Sequence, residues 1–559
     1  MDSSAFAARY HAQTKHHPDR FARSLGYMDW ANQPNPFRRF AGAPLFPLAL
    51  GAGRTNASYD GLFDPEGVES QPVTFGTISD FLEHALALSA WKEFQGSRWA
   101  LRVNPSSGNL HPTEGYIITE AALRPDATPG VYHYAPKEHA LERRCNLSTA
   151  TWDSLTAEFP QGTFFVGLTS IHWREAWKYG ERAYRYCQHD VGHAIAAVSL
   201  AASLNGWRGV WLHGMADRDV SRILGLDRPG DFENAEQEHP DLLLAILTDQ
   251  NAELSATPIR LPDEAMMKVA EGAWSGKANL LSRDHVEWAL IDDMAAACEK
   301  PADHDDHVGS PQSDFHEPLP ADRPARPART IITQRRSAVA MDGKTSLSAQ
   351  AFFLMLDRTL PRIDRCPWWS LASSAHVHLC LFVHLVDGLA PGLYFLIRSL
   401  DKLSELQEAT DDRFAWTRPE SCPGGLPLFM LNEGDYRVAA GQLSCGQDIA
   451  ADGAFSLGMI AEFETPLRRH GGWYYRRLFW EAGMIGQVLY LEAEAAGVRS
   501  TGIGCYFDDP VHTVLRLKGT AYQSLYHFTV GGPVEDTRLT TGPAYPHRSP
   551  ADHPSLGRF

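Results

Sequence analysis

The segment GERAYRYCQHDVGHAIAAVSLAASLNGWR at residues 180–208 decides the fold, because an altered copy of it recurs later in the chain. Displaced by 291 positions, it lies without gaps over GGWYYRRLFWEAGMIGQVLYLEAEAAGVR at residues 471–499. Both copies have small and apolar residues at helical spacing, and Gly206 and Gly497 stand where a helix would end. The shared residues are Gly180/Gly471, Tyr184/Tyr475, Arg185/Arg476, Gly192/Gly483, Leu200/Leu491, Ala202/Ala493, Gly206/Gly497 and Arg208/Arg499. Such a match predicts two related halves, each built around a long helix.

A second correspondence needs a different offset. The stretch PSSGNLHPTEGYIIT (105–119), followed by GVYHY (130–134), resembles SSAHVHLCLFVHLV (373–386), followed by GLYFLI (392–397). Each copy is typical of a loop, a strand, a glycine-containing turn and a second strand. The predicted fold class is therefore α+β, with two tandem domains that each contain a small sheet and a long central helix.

The length and one biased segment predict where the domains divide. At 559 residues the chain exceeds the ~250–300 residues at which single cores stop growing. Residues 299–329 are rich in Pro, Asp, Ala and His and poor in aliphatic residues, which is typical of a linker. We predict an N-terminal extension at 1–70, a first domain at 71–255, a connecting helix and linker at 256–329, a second domain at 330–540 and a tail at 541–559. The extension and the tail are expected to wrap over a neighbour or to fray.

The composition is that of a globular protein, with 44% hydrophobic and 21% charged residues. A net charge of −17 argues against nucleic acid as a partner, since phosphate backbones require a basic surface. The eight cysteines show no CxxC spacing, which favours reduced thiols in a cytoplasmic protein. The N-terminus lacks the apolar core of a signal peptide, and the most apolar stretch (376–397) contains three His, an Asp and a Pro. No membrane partner is therefore expected.

These elements together resemble the nitroreductase superfamily, and within it the SagB/thiazoline-oxidase branch of dehydrogenases. The resemblance covers about residues 70–255 and 328–540. It is carried by the order and spacing of several motifs: PSSGNLHP (105–112), KYGERAYRYCQHDVGHA (178–194), QRRS (334–337), AGMIGQVLYLEAEAAGV (482–498), TGIG (501–504) and VGGPVEDTRL (530–539).

The resemblance implies FMN bound between two subunits, which contribute different segments. One subunit gives an Arg/Ser segment, a glycine-rich turn and a late basic residue, and the other gives a Pro-Ser-Ser-x-Asn loop. In this chain the second half keeps the Arg/Ser segment and the glycine-rich turn, where the first half has Trp211, Leu212 and His213 at the positions of the turn. The first half keeps the Pro-Ser-Ser-x-Asn loop, whereas the second half has Ala-Ser-Ser-Ala-His at residues 372–376. The chain is thus expected to form an internal pseudo-dimer with one complete FMN site, and further homodimerisation is open.

The resemblance assigns the cofactor-binding residues by segment. The phosphate is expected at Arg335, Arg336 and Ser337, since guanidinium groups match phosphate oxygens. Glycine permits close approach of the backbone to a flat ring, which is the role expected of the turn, and a cation near the flavin N1 would stabilise the reduced ring. The full set is Pro105, Ser106, Ser107, Asn109, Arg335, Arg336, Ser337, Gly502, Ile503, Gly504 and, as the late basic residue, Arg538.

Lys178 and Tyr179 precede the first long helix and are the expected proton-transfer groups. In the azoline-oxidising branch, such a pair is implicated in removing a proton while hydride passes to the flavin. A Lys buried beside the ring would have its pKa lowered, as a general base requires. The second half has Arg469 and His470 at the matching positions, so the pair occurs once.

Several functions remain open at this stage. In one reaction, the protein dehydrogenates a small molecule or a peptide-derived heterocycle. In the other, NAD(P)H is the co-substrate and a nitro or quinone acceptor is reduced. A metallohydrolase is the alternative of another class, because His189 and His193 stand four residues apart on one helix face; the resemblance itself implies no metal. A flavin-binding protein without catalytic activity is the third possibility.

Overall fold

The structure is a computed structural model that describes residues 2–53, 55–120, 128–250, 252, 254, 259–302, 314, 315, 317–371 and 374–547. Parts of the predicted linker, most of the predicted tail and two residues of the 372–376 loop lie outside the described residues. No described helix is both long and apolar enough to cross a membrane.

The first half contains a main antiparallel sheet, strands of two smaller sheets, and helices. The helices are α1 (Ser3–Gln13), α2 (Phe75–Ala85), α3 (Thr149–Thr156), α4 (His172–Tyr179), α5 (Ala183–Ser203), α6 (Asp217–Leu224), α7 (Asp263–Ala270) and α8 (Ala289–Ala297). The strands are β1 (Phe40–Ala41), β2 (Leu45–Pro47), β3 (Leu88–Phe94), β4 (Ser97–Arg102), β5 (Thr113–Thr119), β6 (Gly130–Ala135), β7 (Ala140–Asn146), β8 (Phe164–Ser170), β9 (Arg208–Trp211), β10 (His239–Leu247) and β11 (Lys277–Ala278).

The second half repeats this plan with fewer additions. Its helices are α9 (Ala328–Gln334), α10 (Ala349–Arg358), α11 (Leu403–Ala409), α12 (Arg437–Leu443), α13 (Glu464–His470), α14 (Tyr474–Ala495) and α15 (Asp508–Leu515). Its strands are β12 (Leu347–Ser348), β13 (Val377–Val383), β14 (Val386–Asp387), β15 (Gly392–Leu396), β16 (Leu428–Glu433), β17 (Phe455–Glu462), β18 (Arg499–Ile503), β19 (Tyr522–Gly531) and β20 (Thr540–Gly542).

The two main sheets have the same order of strands, apart from β2, which is an additional edge strand of the first sheet. The first runs β2-β7-β6-β5-β8-β10-β9, and the second runs β16-β15-β13-β17-β19-β18. All neighbours in both sheets are antiparallel. The predicted strand pairs therefore appear as β5 and β6 in one half and as β13 and β15 in the other. The mixed α and β architecture predicted from the sequence is confirmed.

The two long helices are the predicted repeat, and they pack against each other as well as against their own sheets. Every residue of α5 is buried, and Gly206 and Gly497 adopt positive φ angles of 70° and 77° beyond the helix ends, as the sequence predicts for helix termination. The helices cross where Gly192 meets Gly483. A Cβ atom on Gly192 would lie 2.8 Å from the Gly483 Cα and closer still to a backbone carbonyl of α14. We call two positions equivalent when they are 291 residues apart in the chain. The crossing therefore joins two equivalent glycines.

A pair of equivalent salt bridges connects the halves on either side of this crossing. Arg185 of α5 binds Asp508 of α15 at 2.7 Å, and Arg476 of α14 binds Asp217 of α6 at 2.7 Å. All four side chains are buried. Arg476 is equivalent to Arg185 and Asp508 to Asp217, so the same contact is made twice with the halves exchanged.

The chain termini also reach across the halves. Near the N-terminus, Tyr10 of α1 lies edge-on to two equivalent rings, Tyr184 at 6.0 Å and Tyr475 at 6.1 Å. Near the C-terminus, β20 pairs with β3 of the first half, and the buried Tyr545 donates a hydrogen bond to the Pro136 carbonyl at 2.8 Å. The described parts of the extension and the tail therefore wrap over the body of the protein.

We predict that Gly192→Ala destabilises the protein, because the added Cβ meets backbone on the facing helix and not a movable side chain. Overpacking of this kind costs about 1–3 kcal/mol, which a denaturant titration of both proteins would measure. Gly76→Ala is the matched control, since the nearest atoms to its Cβ are 3.8 Å and 3.9 Å away and alanine favours a helix. An unchanged unfolding midpoint for Gly192→Ala would show that the crossing is not close-packed.

Candidate functional site

A cavity of about 430 Å³ lies where the two halves meet, within the range of small-molecule and cofactor sites. It collects segments that are far apart in the sequence: the loop before β5, one face of α5, the segment after α9, and the turn after β18. Of the sequence-predicted residues, the cavity is lined by Pro105, Ser106, Ser107, Asn109, Tyr179, Arg335, Arg336, Ser337, Gly502, Ile503 and Gly504.

Arg335 is buried in the wall of this cavity and ties the second half to the first. Its Nε and Nη2 atoms donate to the backbone carbonyls of Val103 at 3.3 Å and Arg102 at 3.1 Å. Its Nη1 atom is buried without a hydrogen-bond partner among the described residues. Burial lowers the pKa of the guanidinium group, and leaving such a donor unpaired costs free energy. A buried charged donor in the wall of a cavity is a natural anion-binding group.

Arg336 and Ser337 are held more locally. Arg336 Nη1 donates to the Thr333 carbonyl at 2.8 Å and Nη2 to the Ser89 carbonyl at 3.1 Å, and burial lowers its pKa to about 10. The Ser337 hydroxyl shares a hydrogen bond of 3.0 Å with Tyr490, which in turn accepts from the Gly502 N–H at 2.9 Å. One tyrosine of α14 thereby fixes both second-half segments relative to each other.

The loop that contributes Ser106 and Ser107 is anchored by Asp190 of α5. The Asp190 carboxylate accepts from the Ser107 N–H at 3.0 Å and from the Ser107 hydroxyl at 3.1 Å, while the Ser106 hydroxyl accepts from the His111 N–H at 2.8 Å. Asn109 donates to the Ala100 carbonyl at 2.9 Å. Burial raises the pKa of Asp190 to about 7, so its charge changes near neutral pH.

The glycines of the 502–504 turn have a different local reason from the one expected. A Cβ atom on Gly502 would collide with the Tyr526 hydroxyl, and one on Gly504 would collide with the Tyr186 ring. Both tyrosines line the cavity. In this structure glycine is therefore required because the tyrosines of the cavity wall leave no space for a side chain. The expected reason was close approach of the backbone to a ligand.

Lys178 lies beside the serine loop but does not have the buried position expected of it. A Cβ atom on Gly108, which has a φ of 58°, would lie 2.7 Å from the Tyr179 hydroxyl and 3.2 Å from Lys178 Nζ. Tyr179 is half-buried and lines the cavity, whereas Lys178 is exposed and is not among the lining residues. The expectation of a buried Lys178 was wrong, because Lys178 becomes exposed at the end of α4, after the buried residues 172–177.

Arg538 does not reach the cavity. Its side chain is 72% exposed and is held by Asp536 at 2.8 Å. Arg499, at the start of β18, is instead a lining residue, with Nη1 2.6 Å from Glu535. Arg538 follows a long strand by seven residues, and sequence spacing could not show which way that loop turns.

Sequence reasoning missed the helix face that forms one wall. Tyr186, Asp190 and His193 line the cavity and are spaced at i, i+4 and i+7, so they share one side of α5. The same helix had suggested a metal site at His189 and His193. His189 instead stacks on Tyr526 at 4.1 Å, and the two histidines are not part of any described group of three or more potential metal ligands. The spacing that resembles a zinc motif is a helix-packing pattern here.

The equivalent position in the other half is filled. Glu481 is equivalent to Asp190 and likewise accepts from its loop, at the His376 N–H (3.0 Å), but it also binds the buried Arg398. Arg398 packs over the Trp368 ring at 4.8 Å. The cavity left beside these residues is only about 10 Å³. The two halves therefore differ at the same place, with one large cavity and one that is closed by side chains.

Comparison with known proteins agrees with this fold. Residues 68–234 match the model of the nitroreductase family. A protein of Methanocaldococcus jannaschii that is named as a nitroreductase is 24% identical over 184 residues, which are 32% of this chain and 82% of that protein. A crystal structure from Anabaena variabilis, of a protein also named as a nitroreductase, is 21% identical and covers 95% of this chain and 99% of that one, with a TM-score of 0.68. The nitroreductase-like fold thus extends over both halves.

A further crystal structure of a protein named as a nitroreductase, from Ralstonia eutropha, is 14% identical. It covers 40% of this chain and 95% of that chain, with a TM-score of 0.27. This last similarity is too low to add to the argument.

Proposed function

We propose that this protein is an FMN-dependent oxidoreductase and that its cavity holds one FMN between the two halves. The observation that carries the proposal is Arg335, a buried guanidinium group in the cavity wall whose Nη1 has no hydrogen-bond partner among the described residues. An FMN phosphate, with a charge near −2, satisfies such a donor. When bound, FMN supplies the site where hydride is accepted or released.

The charges around the cavity suit an anionic cofactor although the chain as a whole is acidic. Its lining contains five basic and three acidic residues: Lys92, Arg102, Arg335, Arg336 and Arg499 against Asp190, Glu535 and Asp536. Burial keeps Asp190 partly protonated at neutral pH. Arg335 and Ser337 are the groups we assign to the phosphate, and the Ser106–Asn109 loop and the 502–504 turn to the remainder of the cofactor.

We further propose that the two halves form an internal pseudo-dimer, with domains at 71–255 and 330–540, and that only one composite FMN site is functional. The equivalent position is closed by the Arg398–Glu481 ion pair and by Trp368. Trp211, which is equivalent to Gly502, packs edge-on against Trp480 at 5.8 Å. Among the described residues, these bulky groups occupy the space that a second cofactor would need.

For the direction of the reaction we favour dehydrogenation of an azoline or a related peptide-derived heterocycle. Lys178 Nζ lies beside the serine loop, and Tyr179 lines the cavity, so both are close enough to handle a proton at its edge. One observation favours the second candidate, reduction of a nitro or quinone acceptor by NAD(P)H. Lys178 is exposed and is not among the residues that line the cavity.

We predict that the purified chain binds about one FMN and that Arg335→Ala weakens this binding by about 1.5–3 kcal/mol, the range for a hydrogen bond to a charged group. Flavin fluorescence titration measures both the stoichiometry and the affinity. Arg413→Ala is the control, because Arg413 is exposed and paired with Asp411 away from the cavity. Two tight sites per chain, or an equal loss in both variants, would contradict the assignment.

We predict that FMN binding weakens as the pH rises through about 7. Above that pH the Asp190 carboxylate is ionised and adds a negative charge to a cavity that receives a phosphate, at a cost of about 1 kcal/mol, or roughly fivefold in Kd. Asp190→Asn should remove this step while its amide oxygen still accepts from Ser107. Ionisation of the FMN phosphate affects both proteins alike, so identical pH profiles of Kd would exclude Asp190 as the titrating group.

We predict that Lys178→Ala slows dehydrogenation of an azoline substrate by ~10²–10⁴, the usual contribution of a positioned base, while FMN stays bound. Stopped-flow reduction of the flavin by NADH and NADPH is the complementary measurement. The reductase would be favoured if the variant reduced its flavin and turned over a quinone at wild-type rates while the parent protein did not oxidise an azoline.

A further inference from the structure

Two cysteines lie in contact at the edge of the cavity. The sulfur atoms of Cys445 and Cys505 are 2.9 Å apart, and Cys505 is itself a lining residue. Five other cysteines of the chain are buried, and Cys422 is the remaining one with partial exposure. Cys445 and Cys505 therefore combine solvent access with a close thiol neighbour.

The backbone holds these two cysteines together from both sides. Cys445 follows α12 and Cys505 follows the 502–504 turn. The Phe507 N–H donates to the Leu443 carbonyl at 2.8 Å, and the Gln447 side chain donates to the Cys505 carbonyl at 2.9 Å. Closing the gap to the ~2.05 Å of a disulfide needs a shift of about 0.9 Å. Since each segment is fixed within three residues of its cysteine, little chain entropy is lost when the bond forms.

The backbone at Cys445 is unusual in a way that brings its side chain to this place. Cys445 has a φ of 56°, and Gly446 follows with a φ of 73°. A residue other than glycine rarely occupies this left-handed region, and such residues concentrate at functional sites. The turn therefore directs a thiol towards Cys505 at some conformational cost.

The surroundings distinguish the two thiols chemically. The contact with the Cys445 thiol lowers the pKa of Cys505, and the nearby Arg182 guanidinium group lowers it further. Arg182 is held there by its contact with the Gly504 carbonyl, 3.3 Å from Nη2. The same contact raises the pKa of Cys445. The thiolate is the nucleophile in disulfide exchange, and Cys505 lines the cavity whereas Cys445 does not, so we assign Cys505 as the attacking group and Cys445 as the resolving one.

We propose that Cys445 and Cys505 form a redox-active dithiol that exchanges with small disulfides at the mouth of the cavity. The Cys505 thiolate attacks one sulfur of the external disulfide, which releases one thiolate and leaves a mixed disulfide on Cys505. Cys445 then loses its proton and attacks the Cys505 sulfur, which releases the second thiolate. The two protein thiols are oxidised by two electrons to one disulfide, and the external disulfide is reduced to two thiols.

This exchange does not depend on the flavin, but its effect on the cavity rests on the proposed function. Cys505 directly follows Gly504, whose carbonyl accepts from the Tyr186 hydroxyl at 3.0 Å, and both of these residues line the cavity. Movement of Cys505 towards Cys445 therefore shifts a wall of the cavity. We expect oxidation to change the affinity for FMN.

The decisive experiment uses oxidised glutathione and the full-length protein without FMN, so that failure of the flavin proposal leaves the result readable. Intact mass and peptide mapping of the native protein should show a Cys445–Cys505 disulfide without retained glutathione. Cys445→Ser should instead retain glutathione on Cys505, because the resolving thiol is missing. Cys505→Ser should lose the rapid reaction by at least ~tenfold, as expected when the more nucleophilic thiol is removed.

Cys422→Ser is the matched control, since Cys422 is also partly exposed but lies apart from the pair; it should behave as the parent protein. The map of the parent protein decides the question even if a serine variant does not fold. The proposal would be overturned if glutathione stayed on Cys445 or Cys505 of the parent protein without a disulfide between them. It would also be overturned if neither cysteine reacted faster than Cys422. If the disulfide forms, FMN titration of the oxidised and reduced proteins then tests the effect on the cavity separately.

Discussion

The contact between Gly192 and Gly483 is the constraint on which the rest of the structure depends. Only glycine at both positions lets the backbones of α5 and α14 touch, and that distance brings each half within reach of the other's side chains. The buried Arg185–Asp508 and Arg476–Asp217 pairs form across the same interface. Buried charges add little net stability but are costly to separate, so these pairs fix the orientation of the halves more than they strengthen their association.

The position and lining of the cavity are set by this crossing. It places the Tyr186–Asp190–His193 face of α5 opposite the 502–504 turn, and it lets Arg335 bond to backbone carbonyls of the first half. A site made from both halves is stable only while the halves are held in register. A buried donor such as Arg335 Nη1, which has no hydrogen-bond partner among the described residues, is a cost in stability that this arrangement carries.

Most of the fold could be predicted from the sequence, because a long repeat and alternating strand patterns are local signals. The loop, the Arg/Ser segment and the glycine turn were also found, and the structure brings them to one cavity. The sequence could not predict three features of the site: the position of Lys178, the direction of Arg538 and the anchoring role of Asp190. They depend on which side of a helix or loop faces the partner half, and spacing in one sequence does not carry that information. The glycines of the turn were identified, but the tyrosines that require them lie elsewhere in the chain.

The exchanged salt bridges have a consequence for how the chain is made. Arg185 and Asp508 are separated by 323 positions, so at ~5–20 residues per second a ribosome needs roughly 15–65 s to supply the partner of a finished α5. During that interval the entirely buried surface of this helix has nothing to pack against from the second half. The first half therefore emerges as an incomplete body whose apolar face stays exposed until the second helix arrives, and slower synthesis lengthens that exposure.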